Sequence, residues 1–317
     1  MLARVADSLY WTGRYIERSE HLARYLKVQH FAMLDSPSGQ DKASFSRSIL
    51  NFYGLPGDQY AEDREVLFAV GLEEQNGVSI HATVKAAREN ARSVRHLIST
   101  ELWEAINQYY LFVKNFDRSH YEKRGLYDFT VQSINHCAVV RSHLDYTLLY
   151  DDAWMFVKLG LYVERAAQIL RILIGKSYEL VSSSREKHSV ELVSHQLNTT
   201  LQTLQGLDMH RRVYLDAPNL QTTFEFLIAN TLFPRSIACT LKKLKNMVEQ
   251  LEARIDHLFL MGQSVRGLIE RIEDLEFRNI EQQLPWFLED LLQAIYALHD
   301  QFNRLCFTTS KLEQDLA

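Results

Sequence analysis

Turn-forming residues are scarce in this chain. Its 317 residues include 12 glycines and 5 prolines. No stretch alternates apolar and polar residues with period two for long enough to make a strand. Both shortages argue against a many-stranded β fold and predict long helices. Cysteine is scarce too: Cys137, Cys239 and Cys306 stand far apart with no Cys-x-x-Cys pair. That excludes a disulfide framework and fits buried thiols in a reducing compartment. No uncharged apolar run approaches the ~18 residues of a membrane span. The N-terminus carries Arg4 and Asp7 where a signal peptide would need an apolar core. The expected setting is therefore the cytoplasm, with no membrane partner. A surplus of basic charge is also missing: 35 basic against 40 acidic residues leave −5. The basic field expected of a nucleic-acid-binding domain is absent.

Signatures of chemistry are equally sparse. There is no Gly-rich phosphate loop, no His-Glu-x-x-His, no Gly-x-Ser-x-Gly and no Cys–His nucleophile pattern. His136/His143 and His188/His195 lie seven apart, too far for one metal on one helix. A carboxylate-bridged di-iron site needs two acid-x-x-His pairs on helices. Only Asp117/His120 has that spacing, in a predicted loop. No metal and no cofactor are expected.

What the chain does have is a stretch that occurs twice. Gly13-Arg14-Tyr15-Ile16-Glu17-Arg18 is repeated 147 residues later as Gly160-Leu161-Tyr162-Val163-Glu164-Arg165. At the same offset Leu9, Ile16, Ala23 and Leu26 match Phe156, Val163, Leu170 and Leu173, and Arg24 matches Arg171. At an offset of 157, Ser79-Ile80 matches Ser236-Ile237. There Val84, Ala87, Ala91, Val94 and Ile98 match Leu241, Leu244, Val248, Leu251 and Ile255. Two different helices repeating in the same order imply an internal duplication. The predicted fold is an all-α, multi-helix bundle of two pseudo-equivalent halves, about 1–150 and 151–317. The connection near 145–155 is neither Pro- nor Gly-rich, so the halves should share one core and form a single domain.

Apolar periodicity predicts helices over about 3–34, 43–52, 61–74, 79–99, 101–116, 126–150, 152–180, 219–232, 235–259, 261–279 and 282–308. Loops are expected at 117–125 and 208–219. Ser182-Ser183-Ser184 reads as a break or a cap before a helix running to about 206. Pro234 reads as the first residue of the following helix, where a missing N–H costs nothing.

Two sets of charged residues are candidate sites. In the first, Glu17, Arg18, Glu164 and Arg165, with Arg14 one turn away, either fix the register of the bundle through buried ion pairs or line a polar groove between the halves. Adjacent Glu and Arg point about 100° apart on a helix, so they cannot pair with each other. In the second, Lys85, Arg88, Arg92 and Arg95 share one face of helix 79–99, with Glu89 and Asn90 at its edge. The repeat keeps the apolar face of that helix, but places Glu249 and Glu252 opposite Arg92 and Arg95. The Arg stripe is therefore not needed for the fold. It is either a solvated face or an anion site, because guanidinium forks match carboxylate and phosphate.

With Gly13–Glu20, Arg88-Glu89-Asn90-Ala91-Arg92, Phe233-Pro234-Arg235-Ser236 and the opening Met1-Leu2-Ala3-Arg4-Val5-Ala6-Asp7-Ser8-Leu9-Tyr10-Trp11, the chain resembles the bacterial alpha-E family nearly end to end. It departs from that pattern at Val78, before Ser79, and at Leu161, which gives Arg14 no basic match. The resemblance implies an all-helical protein that works beside an ATP-grasp-type ligase and a transglutaminase-like protein, in a system that forms peptide or amide bonds. It supplies no catalytic residue.

Three readings follow. The first is a non-catalytic, substrate-binding subunit of the ligase, recognising an anionic or peptide group. The second is an enzyme using Glu17 or Glu164 as acid or base, which requires a pocket and a raised pKa. The third is a structural, homo-oligomeric scaffold, which requires a broad exposed apolar patch and no polar pocket.

Overall fold

The computed structural model describes residues 2–34, 49–56, 60, 63–185, 190–253, 258–277 and 283–307. Among them there is no strand. Two long helices form the spine: α1 (Ala3–Leu34) and a 34-residue helix, Asp152–Arg185. Between them come α2 (Asp63–Gly71), α3 (Ile80–Ser93), α4 (Thr100–Lys114) and α5 (Leu126–Tyr146). The second spine helix is α6. It is followed by α7 (Val190–Thr203), α8 (Leu207–Tyr214), α9 (Leu220–Ala229), α10 (Ile237–Glu252), α11 (Phe259–Glu273) and α12 (Leu284–Phe302).

The spine helices come into backbone contact at two glycines, one from each helix. A Cβ on Gly13 would fall on the carbonyl oxygen of Val157, and one on Gly160 would fall on that of Tyr10. Both pairs belong to the repeated stretch, each glycine facing the other's partner position. Contacts step forward together, from Gly13/Val157 to Glu17/Arg165, so the two helices run side by side in the same direction. Leu9, Ile16, Ala23 and Leu26 of α1 are buried, as are Phe156, Val163, Leu170 and Leu173 of α6.

Each spine helix then carries a bundle of the same design. α1 packs on α3 and α5, and α4 covers those two; α6 packs on α10 and α12, and α11 covers those two. The apolar stripes read from the sequence are the ones that face the core: Val84, Ala87, Ala91 and Val94, and Leu241, Leu244, Val248 and Leu251, are at most 1% exposed. Ile98 packs against that core while half-buried, and Ile255 lies outside the described residues. The starts of α3 and α10 match as well. Ser79 Oγ accepts from Ala82 N (3.0 Å) and donates to Glu73 O (2.7 Å). Ser236 Oγ accepts from Cys239 N (3.1 Å) and donates to Asn230 O. Such a cap satisfies one of the unpaired N–H groups of a helix's first turn.

Several local expectations are corrected. Residues 118–125 are helical, a short turn at Arg118–His120 running into a π-turn at Tyr121–Gly125. Asp117 caps the turn through Ser119 N and His120 N, and the buried Tyr121 ring anchors it. Residues 207–214 form α8 rather than a loop. Ser182–Ser184 continue α6 without a break. Pro234 precedes the helix instead of opening it, because Ser236 takes the capping position. Most of the helix expected at 43–52 lies outside the described residues; 49–53 are helical. No helix among the described residues is long and apolar enough to cross a membrane.

Candidate functional site

Arg14 and Arg18 form one row on α1 and Glu17, His21 and Arg24 the row beside it, each stepping three or four residues. Both rows face α6. Glu17 accepts a two-pronged bond from Arg165, at 2.6 Å from Nε and 3.1 Å from Nη2. Glu164 accepts the mirror-image fork from Arg18, at 2.6 and 3.0 Å. Each carboxylate is also met from its own helix four residues on. His21 Nε2 lies 3.3 Å from Glu17 Oε1, and Gln168 Nε2 donates to Glu164 Oε1 at 2.7 Å. His21 Nε2 also lies 3.3 Å from Arg235 Nη1; the carboxylate only accepts and the guanidinium only donates, so the two neighbours compete for that one nitrogen. Arg14 adds a bond from Nε to Glu164 at 2.7 Å and lies over the Trp11 ring.

Glu17 and Glu164 are 0% and 1% exposed. Burial alone would raise both carboxyls. For Glu17 the charge of Arg165 and the bonds from His21 and Arg165 outweigh it; for Glu164 the charges of Arg18 and Arg14 and the bonds from Arg18 and Gln168 do so. Both acids are held well below the usual carboxylate range. They are locked anions, with neither the pocket nor the raised pKa that acid–base work requires.

A third carboxylate completes the network. Glu20, fully buried, meets Arg24 on its own helix, Arg141 from α5 and Arg235 Nη2 (2.8 Å) from the turn before α10. His21 remains neutral: burial lowers its pKa to about 4 although the Glu17 carboxylate beside it acts to raise it, and the charges of Arg235 and Arg24 act in the same direction as burial. Four guanidiniums, of Arg24, Arg141, Arg165 and Arg235, therefore gather around two carboxylates, Glu17 and Glu20. Burial and the repulsion among these cations pull Arg24, Arg141 and Arg235 below the ordinary guanidinium range. Arg24 Nε and Nη1 find no partner among the described residues.

This cationic cluster opens to solvent through a cleft of about 390 Å³. Arg141, Arg165 and Arg235 form its inner side, with Lys158 and Lys243 beside them. Asp145 is its only acid, and Lys158 Nζ takes both oxygens of that acid, at 2.8 and 3.2 Å. Leu161, Pro234, Tyr146 and Tyr162 supply apolar and aromatic wall. A larger groove, about 610 Å³, lies beside Phe52, Tyr53 and Ile172. Its charged groups are engaged: Lys176 pairs with Glu179, and Arg171 bonds Tyr296.

Among the candidate residues only Arg165 lines the cleft. Arg14, Glu17, Arg18 and Glu164 lie in the buried network behind it. The Arg stripe is elsewhere, on an outer face, and is not carried by one helix as expected: α3 ends at Ser93, and Arg95 lies in a 3-10 turn, Arg95–Leu97, that follows it. Arg88 bonds Asn107 (2.7 Å) and Glu89 (2.6 Å) and stacks on Tyr110; Arg92, 63% exposed, pairs with Glu89; Arg95 lies over Trp103. Asn90 is half-buried, and its carbonyl accepts from Ser93. The structure thus separates the two sets instead of joining them in one groove. Glu20, Arg141, Lys158, Arg235 and Lys243 were not singled out by sequence. One signal for Arg235 existed: at the 157 offset it stands against Val78, an apolar residue in the otherwise matching cap. Arg24 and its match Arg171 also part ways, the first buried and the second exposed. Among the described residues, no group of three or more His, Cys, Asp or Glu could hold a metal ion.

These features define an all-helical protein whose two spine helices are interlocked by reciprocal Glu-Arg pairs. A family profile described as a predicted alpha-helical domain with a conserved ER motif, Alpha-E, matches residues 1–307. The chain belongs to the Alpha-E family. No curated protein and no solved structure matches it.

Proposed function

We propose that this protein is a non-catalytic subunit that recognises an anionic group of a peptide or protein substrate, on behalf of an ATP-grasp-type ligase with which a transglutaminase-like protein also works. The observation that carries the reading is the cleft, which among the described residues is lined by five cationic side chains and one carboxylate, the latter already paired with Lys158. The network behind it supports the same reading. Glu17 and Glu20 hold the cleft guanidiniums in place, and Glu17 and Glu164, each locked in an Arg fork, are not free for proton transfer, which disfavours the enzyme alternative. A polar cleft also disfavours a purely structural scaffold.

We further infer that the two halves descend from one copy of a helical unit. The matched glycines, forks and caps support this. On that view the second half contributed Arg235 and Lys243, the first contributed Arg141, and the cleft arose at their junction.

The test is reconstitution with the ligase and measurement of substrate-dependent ATP consumption. Lys243→Glu should abolish the subunit's effect, while Arg92→Glu on the α3 stripe should leave it intact. The reverse pattern would move the anion site to α3, and no effect of either variant would remove it altogether.

A further inference from the structure

We propose that the anionic group recognised in the cleft is a phosphomonoester, held by its dianionic phosphoryl group. The inference rests on the reading above and narrows it.

Charge is the first ground. Within the ion-pair cluster Arg24, Arg141, Arg165 and Arg235 exceed Glu17 and Glu20 by two positive charges, His21 is neutral, and the Lys158–Asp145 pair is self-compensating; Lys243, at the half-exposed rim where water solvates it, stands outside this sum. Uncompensated buried charge is costly, so the cluster favours a counter-ion of matching size. A single carboxylate would leave one cation unmatched. A phosphate ester carries about −1.5 to −2 near neutral pH and matches the surplus.

Shape is the second ground. The three inner guanidiniums come from three separate segments: α5, α6 and the turn before α10. Cations converging from different directions suit a tetrahedral oxyanion, whose oxygens spread in space; the two oxygens of a carboxylate lie in one plane. All three guanidiniums are anchored from behind by Glu17 or Glu20, so they are oriented before a ligand arrives.

Size is the third. About 390 Å³ is at the small end of ligand pockets. It exceeds the needs of a bare phosphate, and Tyr146, Tyr162 and Leu161 offer apolar wall for a short organic part. The Arg141 side chain is 23% exposed and Tyr146 86%, so the cleft is reachable from solvent.

The experiment is calorimetric titration of the full chain with inorganic phosphate, glycerol phosphate, acetate and glutarate at fixed ionic strength, with thermal melting in parallel. Saturable binding of both phosphates is expected, with a raised melting temperature and acetate and glutarate weaker by at least about tenfold. Lys243→Glu and Arg141→Gln should each weaken phosphate by about tenfold or more while the unliganded protein melts as before. Lys243 lies at the half-exposed edge, so its variant tests the site even if Arg141→Gln fails to fold. Carboxylates binding as tightly as the phosphates would overturn the phosphoryl assignment and leave the anion-recognition reading standing. If no anion binds and the ligase assay ignores Lys243→Glu, both fall.

Discussion

His21 offers the sharpest physical test of the buried network. Its ring is 1% exposed, wedged between the Glu17 carboxylate and Arg235. Burial, reinforced by Arg235 and Arg24, lowers its pKa from the ordinary 6.5 to about 4. The sign follows from linkage. The unfolded chain takes up a proton at this position as pH falls through 6.5, and the folded chain does not until pH nears 4. Stability from His21 is therefore complete above pH 6.5, is lost as pH falls, and is gone below about 4. A separation of that size is worth roughly 3 kcal/mol over the whole window. For a chain of this length that corresponds to about 4–5 °C in melting temperature. The perturbation is His21→Gln. The matching position on α6 is Gln168, which already bonds the matching carboxylate at 2.7 Å, so the variant should fold with the Glu17 bond kept. Melting temperatures by circular dichroism from pH 8 to 4.5 should show the wild type falling more steeply than the variant. His299 and other histidines contribute equally to both curves, so the difference isolates position 21. Parallel curves would refute the buried, neutral His21.

Other consequences can be checked individually. Below about pH 4.5 a second loss should set in, because Glu17 and Glu164 are depressed in the folded state and their stabilisation disappears as the unfolded carboxyls protonate; an acid titration that is flat there would contradict the forks. Glu164→Gln leaves the buried Arg14 and the partly buried Arg18 beside an uncharged partner and should cost about 3–5 kcal/mol in denaturant unfolding, against under ~0.5 kcal/mol for Glu89→Gln on the surface. Gly13→Ala and Gly160→Ala each drive a methyl into a backbone carbonyl of the other spine helix and should cost about 3 kcal/mol or more; Gly175→Ala, with open space around it, should be neutral or slightly stabilising. Arg92→Glu should melt within about 1 °C of wild type, since Arg92 is largely exposed and its match is Glu249.

The repeated elements were legible for a plain reason. An apolar stripe is a local property: Val84, Ala87, Ala91 and Val94 declare their face by spacing alone, and burial then puts that face inward. The Glu-Arg dipeptide declared its importance by occurring twice, but not its use. Glu17 reaches Arg165 and never Arg14, although Arg14 is one turn away on the same helix, because α6 brings a better-aligned fork within reach. Local capping was misjudged for the same kind of reason. Pro234 had the credentials of a first helical residue, yet the Ser236 hydroxyl, tied to Asn230, caps the helix and fixes its first residue three positions later, at Ile237.

By itself the sequence determined the all-helical class, most of the helices and the apolar stripe of each, because these depend on residues near one another along the chain. Only the tertiary structure decided where positive charge is left over. Arg141, Arg165 and Arg235 are scattered over 95 positions, and their convergence on two shared carboxylates depends on how α5, α6 and the turn before α10 pack. Electrostatic surplus is a sum over neighbours in space, and spacing along one chain cannot supply that sum.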